Sequence, residues 1–338
     1  MAYRNTVPRR PSLANACALA LLLALGACGG DDPGAPGDPA APASGSGDSW
    51  ASLAPMTEPR QEVGVAAVQN RIFVAGGFRG DGSTSSTLEV YDASANAWSV
   101  LAPMPVAVNH PGAAAVNGRV YVIGGSLGSG ASTDAVQEYD PARNDWGLKA
   151  PMPTARNAVV AGVHGGRIYV AGGAPGGRVL EAFDPAVDRW ESLPLMSTPR
   201  NHLAGGFVGD RFFAIGGRPP NTLAVNEAFD VVTRAWLGRA AMPTGRSGHG
   251  AAVVRGCVYV FGGEGNTARP DGVFPHNQVY DARSDSWATL APMPTPRHGI
   301  GAAAIGDRIF VPGGATVQGF GATAAHEVYS VPAGRSCE

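Results

Sequence analysis

Histidines and charged residues that could bind a ligand or transfer a proton interrupt a repeated pattern in this sequence of 338 residues. Six segments resemble one another, and several polar residues occur in only one or two of them. Residues that differ between repeats are better candidates than recurring ones, because function depends on particular sites and not on the scaffold. The candidates for ligand or partner contact on this ground are Asn109, His110, His202, His249, Glu264, Arg269, His276 and His298.

Arginines form a second and weaker set of candidates, because they recur in almost every repeat. The position four residues after a repeated methionine is an arginine in five repeats and Val108 in the other. A guanidinium group binds carboxylates through two parallel hydrogen bonds, so these arginines are candidate anion-binding residues. The alternative is a structural contact with a Glu or Gln that also recurs in every repeat. The arginines singled out are Arg156, Arg200 and Arg246, with Arg60 and Arg297 at equivalent positions.

Catalysis would require an acid–base pair or a metal, and no motif here singles out either. Glu264 with Arg269, or Glu62 with His110, would supply an acid–base pair beside a sugar hydroxyl group. The loop histidines share no metal-ligand spacing, so no metal site is expected. The sequence also lacks a phosphate-binding loop, a hydrolase motif and a zinc spacing, and no cofactor is expected.

Double glycines, tryptophans and turn aromatics mark the six repeats that must position these residues. Each tryptophan lies 26 positions before the next double glycine, and a turn aromatic lies 7 positions before each tryptophan except the first. Only the interval from double glycine to aromatic varies, as expected for one folded unit with one variable loop. The double glycines begin at Gly76, Gly124, Gly172, Gly216, Gly262 and Gly313. The tryptophans are Trp50, Trp98, Trp146, Trp190, Trp236 and Trp287.

Each repeat has the pattern of a small antiparallel sheet. In the second repeat, the β-branched and aromatic run 120–123 ends on two glycines and predicts a strand. Further strands are predicted at 112–116, at 136–139 and from Trp146 onward, with a turn starting at Asp140-Pro141. The 48 glycines and 28 prolines are typical of turn-rich β structure.

This repeat resembles the kelch motif, whose copies form the blades of a β-propeller. The resemblance rests on the double glycine, the Tyr/Phe-Asp turn and the tryptophan, and it covers residues 50–330. It implies an all-β fold with six four-stranded antiparallel blades. Trp50 precedes the first double glycine and Tyr329 has no tryptophan after it, so the N-terminal strand is predicted to be the outermost strand of the last blade.

Connections between antiparallel strands alternate between the two ends of a blade. With strands a to d numbered from the centre outward, the a–b and c–d turns share one end, and they are short or constant in length. The b–c and d–a loops share the other end, and all length variation falls in the b–c loops. We call these ends the turn face and the loop face. Variable loops on a rigid scaffold usually carry binding, so contacts are predicted around the central mouth of the loop face.

The resemblance implies a binding module or an enzyme. Kelch propellers commonly act as interaction modules, and binding of an unknown protein or an acidic sugar is the favoured hypothesis. Exported bacterial kelch propellers include sialic acid mutarotases, so a small-sugar enzyme is the alternative. A galactose oxidase-like copper enzyme is disfavoured because neither Cys257 nor Cys337 falls on the loop face. The formal net charge of −2 provides no basic excess for nucleic acid.

The N-terminal segment predicts export and lipid anchoring. Arginines in residues 1–12, an apolar run and the sequence Leu25-Gly26-Ala27-Cys28 resemble a bacterial lipoprotein signal peptide. The predicted organisation is a signal peptide at 1–27, a flexible linker at 28–49, the propeller at 50–330 and a tail at 331–338. Cys28 would carry the lipid. The predicted location is the cell envelope, at the outer membrane, facing the periplasm or the cell surface.

Export also predicts a disulfide between Cys257 and Cys337, because the compartment is oxidising. Cys257 begins strand b of the fifth blade at the turn face, and the tail leaves the sixth blade at the same face. An extended chain spans about 3.3 Å per residue, so the tail is long enough to reach the neighbouring blade. Two separate thiols are the alternative, since sequence alone does not fix pairing.

Overall fold

The computed structural model describes residues 49–218 and 220–338. Every helix or strand assigned within these residues is a β-strand. Across the same residues, no helix is long and apolar enough to cross a membrane. The predicted signal peptide, nearly all of the predicted linker and Cys28 lie outside the described residues.

The strands follow the repeats, four to a blade, with two short strands forming a separate ribbon at the loop face. Their bounds in chain order are β1 (Ser49–Ser52), β2 (Arg60–Gln61), β3 (Gly64–Val68), β4 (Arg71–Ala75), β5 (Phe78–Arg79), β6 (Leu88–Asp92), β7 (Ala97–Val100), β8 (Gly112–Val116), β9 (Arg119–Ile123), β10 (Val136–Asp140), β11 (Asp145–Leu148), β12 (Val160–His164), β13 (Arg167–Ala171), β14 (Leu180–Asp184), β15 (Arg189–Leu193), β16 (Ala204–Val208), β17 (Arg211–Ile215), β18 (Asn226–Asp230), β19 (Ala235–Arg239), β20 (Gly250–Val254), β21 (Cys257–Phe261), β22 (Asn277–Asp281), β23 (Ser286–Thr289), β24 (Ala303–Ile305), β25 (Arg308–Pro312) and β26 (His326–Ser330).

Six four-stranded antiparallel sheets form a six-bladed propeller. The first blade contains β3, β4, β6 and β7 from the centre outward, and the next four blades each take four consecutive strands from β8 to β23. The sixth blade contains β24, β25 and β26, and its outermost strand is β1 from the other end of the chain. The all-β fold with six four-stranded blades, predicted from the spacing of the repeats, is therefore confirmed.

The propeller is closed by pairing between β1 and β26. Trp50 lies opposite Tyr329 in the register, and Ser49 lies opposite Ser330. The half-buried indole of Trp50 packs edge-on against Phe261 of the fifth blade, and its Nε1 donates to the carbonyl of Ala291 at 3.0 Å. Because the chain runs on from β1 into the first blade, this pairing joins the first blade to the last one without a covalent bond.

The core consists of apolar side chains between neighbouring blades. The b strands are almost completely buried because both faces of each inner strand contact another sheet, which explains their continuous β-branched and aromatic runs. The double glycines that end these strands allow the loop of the next blade to approach. A Cβ on Gly76, for example, would lie 2.3 Å from the carbonyl oxygen of Val108.

Both ends of the described chain lie at the turn face. β1 begins beside Ser330, where the last c strand ends. At the other end, the tail is held by the predicted disulfide between Cys257 and Cys337, which is present in the structure with a Cα–Cα distance of 5.1 Å. The backbone N–H of Cys337 also donates to the carbonyl of Arg255 at 2.9 Å.

Candidate functional site

A closed ring of six backbone hydrogen bonds surrounds the propeller axis at the loop face. Each blade supplies one residue of its d–a loop, whose N–H donates to the carbonyl of the equivalent residue in the preceding blade over 2.7–3.0 Å. We call these six residues the axial ring, and they are Glu62, His110, Ala158, His202, Gly248 and Gly299. The ring satisfies backbone groups that would otherwise be unpaired at the centre of the molecule.

The backbone of every ring residue is left-handed, with φ between 52° and 63°. A residue other than glycine in this conformation costs of order 1 kcal/mol or more, and such residues cluster at functional sites. Glu62, His110 and His202 are held there by the ring. Gly299 leaves space for Glu62, since a Cβ at Gly299 would lie 2.7 Å from the Oε1 atom of Glu62.

Polar side chains gather where the ring opens at the loop face. They come from three ring residues, from the residue after the double glycine in two blades, and from one histidine beside the ring. We call this group the mouth cluster, and it consists of Glu62, His110, His202, Arg218, Glu264 and His298. It breaks the sixfold pattern, because the equivalent ring positions in the other blades are Ala or Gly.

Short contacts connect the members of the mouth cluster. Oε2 of Glu62 lies 3.4 Å from Nε2 of His110. Nδ1 of His298 lies 3.6 Å from a carboxylate oxygen of Glu62 and 3.6 Å from one of Glu264. Arg218 forms an ion pair with Glu264, and its Nη2 lies 3.1 Å from Nε2 of His202. The cluster is therefore one continuous network drawn from five blades.

Burial shifts the pKa values of the cluster toward uncharged forms. Burial raises the pKa of Glu62 to about 7, although His298 acts in the opposite direction. Burial lowers the pKa of His110 to about 4, with a further contribution from the charge of Arg218. The pKa of His202 is also well below its ordinary value, chiefly because of burial. The imidazoles of His110 and His202 are thus neutral at pH 7.

Aromatic side chains border the polar cluster on one side. The ring of Phe78 lies 5.6 Å from that of His110 and 5.2 Å from that of Phe320, measured between centroids. The side chain amide of Gln61 holds the Phe320 loop through the backbone of Gly319 and Gly321. Phe320 is 62% exposed. The mouth therefore offers an exposed aromatic surface beside buried polar groups.

The innermost strands enclose a narrow channel beneath the ring. Its cavity has a volume of about 140 Å³, and small side chains of the a strands form most of its wall. Glu62, His110 and His202 of the mouth cluster contribute to its lining, as does His249. Burial lowers the pKa of His249 to about 3, and its Nε2 lies 3.1 Å from the carbonyl of Ile215.

Several residues predicted from the sequence come together at the mouth. The structure places His110, His202, Glu264 and His298 within the cluster. Asn109 is buried beside it, with its side chain oxygen 2.6 Å from Nδ1 of His110. These five residues therefore share one location, although Asn109 does not break the repeat, since Asn157 and Asn201 hold the equivalent position in the third and fourth blades.

The recurring arginines occupy a different place from the one predicted. Arg156, Arg200 and Arg246 do not line the mouth, because each guanidinium is buried inside its own blade. Arg156 pairs with Glu181 at 2.7 Å, and Arg246 donates to the side chain of Gln278 at 2.6 Å. Arg200 is likewise paired with Glu227, and the remaining pairs are Arg60 with Glu89 and Arg297 with Glu327. The alternative interpretation, a structural contact with the recurring Glu or Gln, matches this arrangement.

Two other candidates lie away from the mouth cluster, in the long b–c loop of the fifth blade. Arg269 is exposed and pairs with Asp271 of the same loop at 2.5 Å. The pairing of Glu264 with Arg269 considered from the sequence is therefore wrong, since Glu264 contacts Arg218. His276 packs near Phe274, 5.1 Å between ring centroids, and does not line the channel.

Arg218 is a member of the cluster that is absent from the residues predicted from the sequence. It follows a double glycine directly, at a position where the other blades have Phe78, Ser126, Ala174, Glu264 and Ala315. Charged residues occur at this position in the fourth and fifth blades alone. That contrast is a signal in the sequence, because the spacing from the double glycine is fixed.

The structure argues against the copper-enzyme alternative, which requires a cysteine free to crosslink to a tyrosine. Cys257 and Cys337 are bonded to each other at the turn face. Among the described residues, neither is therefore available for a crosslink to tyrosine at the mouth.

Family comparisons agree with the architecture. Residues 47–217 match the KLHDC2/KLHL20/DRC7 Kelch-repeats domain, and residues 245–294 match the Kelch motif. The chain is 32% identical over 113 residues to Kelch-like protein terF of Aspergillus terreus, which covers 33% of this chain and 25% of that protein. It is 32% identical over 94 residues to Kelch-like ECH-associated protein 1A of Danio rerio, covering 28% and 16%. The chain thus spans a quarter or less of the length of these relatives.

A solved structure supports the same fold. The structure of YjhT superposes with a TM-score of 0.70 at 16% sequence identity, over 84% of this chain and 98% of that one. At this level of identity the likeness concerns the fold.

Proposed function

The chain belongs to the Kelch-repeat family, whose members typically serve as protein-interaction modules, and on that premise we propose that it binds a protein partner through its loop face. One observation carries this proposal. Among the described residues, the axial ring positions with polar side chains are Glu62, His110 and His202. They lie beside an exposed aromatic surface at the mouth of the loop face. Exposed aromatic residues beside desolvated polar groups are typical of binding hot spots.

The proposed contact surface consists of Phe78 and Phe320 with the mouth cluster beneath them. Phe320 supplies exposed apolar area, and Phe78 links it to His110. The turn face contrasts with this arrangement, since its connections are short and nearly uniform. Among the residues that the structure describes, the recurring arginines are buried elsewhere, and the one guanidinium in the mouth cluster, that of Arg218, is already paired with Glu264. This charge arrangement favours a protein over an acidic sugar.

Binding of purified envelope proteins and of sialic acids to matched variants tests this proposal. Phe320→Ala and His110→Ala each remove a contact from the loop face. His164→Ala is the control, because His164 stacks on Phe207 near the turn face, 5.0 Å between ring centroids. Truncating a hot-spot residue weakens binding by about tenfold or more, roughly 1.4 kcal/mol. A partner that loses affinity for the His164 variant alone would refute the loop-face assignment.

A small-sugar enzyme is a second candidate, favoured by the 3.4 Å contact between Glu62 and His110. A carboxyl group and an imidazole at that distance could act as acid and base on a sugar hydroxyl at the mouth. Interconversion of sialic acid anomers, followed by NMR, tests it. Wild-type protein would accelerate the exchange and Glu62→Gln would abolish the acceleration. Exchange at the uncatalysed rate with wild-type protein would exclude this activity for that sugar.

We also propose that the protein is exported and anchored to the outer membrane by a lipid on Cys28. The support is the signal-like sequence before Cys28 and the disulfide, which suits an oxidising compartment. Cys28→Ser should release the protein from the membrane fraction and prevent labelling with a radioactive fatty acid. Membrane retention of that variant to the wild-type level would contradict the anchor.

A further inference from the structure

Three metal-ligating side chains converge on the axis at the loop face. Glu62, His110 and His202 each offer a ligand atom, and these atoms all lie within 4.8 Å of one another. They belong to the axial ring, so the cyclic hydrogen bonds fix their Cα positions. Their side chains come from the first, second and fourth blades.

The tautomer of His110 is fixed by its neighbours. Nδ2 of Asn109 donates to Oγ1 of Thr84 at 2.8 Å, which orients the amide so that its oxygen faces His110. That oxygen lies 2.6 Å from Nδ1 of His110, so Nδ1 carries the proton and donates it. Nε2 of His110 therefore presents a lone pair to the centre of the cluster.

The same contact recurs at the second histidine. Nδ1 of His202 lies 2.6 Å from the side chain oxygen of Asn201, which leaves Nε2 of His202 as the acceptor. Histidines that bind metals generally donate their other ring N–H to a neighbouring oxygen, which orients the ring and fixes the tautomer. Two imidazoles in this chain are held in that way, each by the asparagine that precedes it.

Acceptor atoms face one another across the cluster. Nε2 of His110 lies 3.4 Å from Oε2 of Glu62, and neither atom carries a proton when the carboxyl group is ionised. Nε2 of His298 lies 2.9 Å from the carbonyl of Val317 and donates to it, and Nδ1 of the same ring faces the carboxylates of Glu62 and Glu264. This buried Nδ1 has no hydrogen-bond partner and lies 3.6 Å from Glu62. A cation at the centre would satisfy the lone pairs of His110 Nε2 and of the Glu62 carboxylate.

We propose that Glu62, His110 and His202 bind a divalent first-row transition metal ion through one carboxylate oxygen and two Nε2 atoms. Two imidazoles and one carboxylate form a ligand set that suits Zn²⁺, Fe²⁺ or Ni²⁺ better than Ca²⁺ or Mg²⁺. In a tetrahedral site with bonds of about 2.0–2.1 Å, ligand atoms lie about 3.4 Å apart. The Glu62–His110 separation already equals that distance. Three protein ligands leave a position that opens toward the mouth.

The Arg218 side chain occupies the position beside His202 that a bound metal ion would take. Its Nη2 lies 3.1 Å from Nε2 of His202, so the guanidinium must move before His202 can bind a metal. Its positive charge also opposes a cation nearby. Removal of this side chain should therefore increase metal affinity, a result that a nonspecific surface site would not give.

The repeat architecture explains why the sequence shows no ligand spacing. The three ligands are separated by whole repeats, and the ring brings equivalent positions together. The proposed metal site also does not depend on the proposed protein partner, because metal binding is measured on the chain alone.

The test is calorimetric titration of the untagged, chelator-treated full chain with Zn²⁺, with the visible absorption of bound Co²⁺ as a second readout. We expect one equivalent of Zn²⁺ to bind, and Ca²⁺ or Mg²⁺ not to compete. His110→Ala and His202→Ala should weaken binding at least 100-fold, and Asn109→Ala 10- to 100-fold. Arg218→Ala should bind at least tenfold more tightly. His164→Ala and His276→Ala, outside the site, should bind as the wild type does.

Three results would overturn the proposal. One is the absence of a Zn²⁺ or Co²⁺ complex in both the wild type and Arg218→Ala, each shown to be folded by its melting curve. Another is equal loss of affinity in the control His276→Ala. The third is unchanged affinity in a folded His110→Ala variant. Partner binding that persists in chelator while Zn²⁺ fails to bind would refute the metal site and leave the proposed function intact.

Discussion

Two positions in the same loop, two residues apart, have opposite environments. The first holds a buried arginine in five blades, and each of these guanidiniums is bonded within its own blade. The second is the axial ring position, which holds one Glu, one Ala, two His and two Gly across the six blades. Because the first faces the blade interior, every repeat needs the same contact there. Because the second faces the axis, side chains from different blades meet there, and six large side chains would not fit together.

In the second blade, the arginine and its glutamate partner are both replaced by uncharged residues. This blade has Val108 at the arginine position, and Gln137 replaces the glutamate. The Gln137 side chain bonds the backbone N–H and carbonyl of Val106 instead. The charge is thus absent on both sides at once in this blade, whereas the fifth blade keeps the buried guanidinium of Arg246 opposite the neutral Gln278.

Removing one partner of a buried ion pair should give the largest loss of stability. Arg156→Met leaves the carboxylate of Glu181 buried without its cation, and we expect a loss of about 3–5 kcal/mol in the free energy of unfolding. Urea denaturation measures it. The double variant Arg156→Met with Glu181→Gln should recover part of the loss. His110→Ala on the axial ring should lower the free energy of unfolding by about 1 kcal/mol or less. Equal losses for the Arg156 and His110 variants would show that the two loop positions do not differ in their contribution to stability.

The noncovalent closure supplies the next largest effect. Trp50→Ala removes the packing on Phe261 and the hydrogen bond to Ala291, with an expected loss of about 3 kcal/mol. Trp98→Ala is the matched control, because Trp98 holds the equivalent position in the first blade. It packs on Tyr91 as Trp50 packs on Tyr329, and its Nε1 donates to the carbonyl of Ala54 at 2.8 Å. The two variants should have similar urea midpoints. A Trp50 variant as stable as the wild type would show that closure contributes little.

A buried histidine far from the mouth should produce a smaller, pH-dependent effect. Burial lowers the pKa of His326 to about 4, and its ring packs on Tyr91 and Trp98. The folded state therefore resists protonation below pH 6.5, so this contribution to stability is complete above that pH and is lost as pH falls toward 4. Between pH 8 and pH 5 the loss is about 2 kcal/mol.

The variant His326→Gln, which can still donate to the carbonyl of Ala54, isolates this term. Its stability should decrease less than that of the wild type over the same pH range, as measured by urea midpoints. The nearby charges of Arg297 and Arg308 act in the same direction as burial. Parallel pH curves for the two proteins would show that His326 is protonated equally easily in both states.

The fold could be predicted from the sequence because the residues that identify it make local contacts. Double glycines, tryptophans and turn aromatics at constant intervals define one blade, and the unpaired Trp50 and Tyr329 indicate where the ring closes. These residues act within a blade or between adjacent blades, so their spacing along the chain corresponds directly to contacts.

The site is only partly predictable, because side chain direction in the d–a loops depends on backbone conformation. Arg156 turns inward while Ala158 reaches the axis, and the difference arises from the left-handed φ of the latter. Sequence patterns rarely indicate a positive φ at Glu62 or His110, since residues other than glycine seldom adopt it. A usable signal exists nonetheless, because every ring residue lies fourteen positions before its double glycine.

The location of both described ends at the turn face has a practical consequence. Ser49 begins beside the end of the last c strand, and Cys337 is bonded to the start of a b strand on the same side. A bead, a sensor chip or a fused reporter attached through either end would therefore sit on the far side of the molecule from the mouth. The mouth would then point away from the surface of attachment, so protein immobilised at Ser49 or at the C-terminal tail is suited to screening ligands.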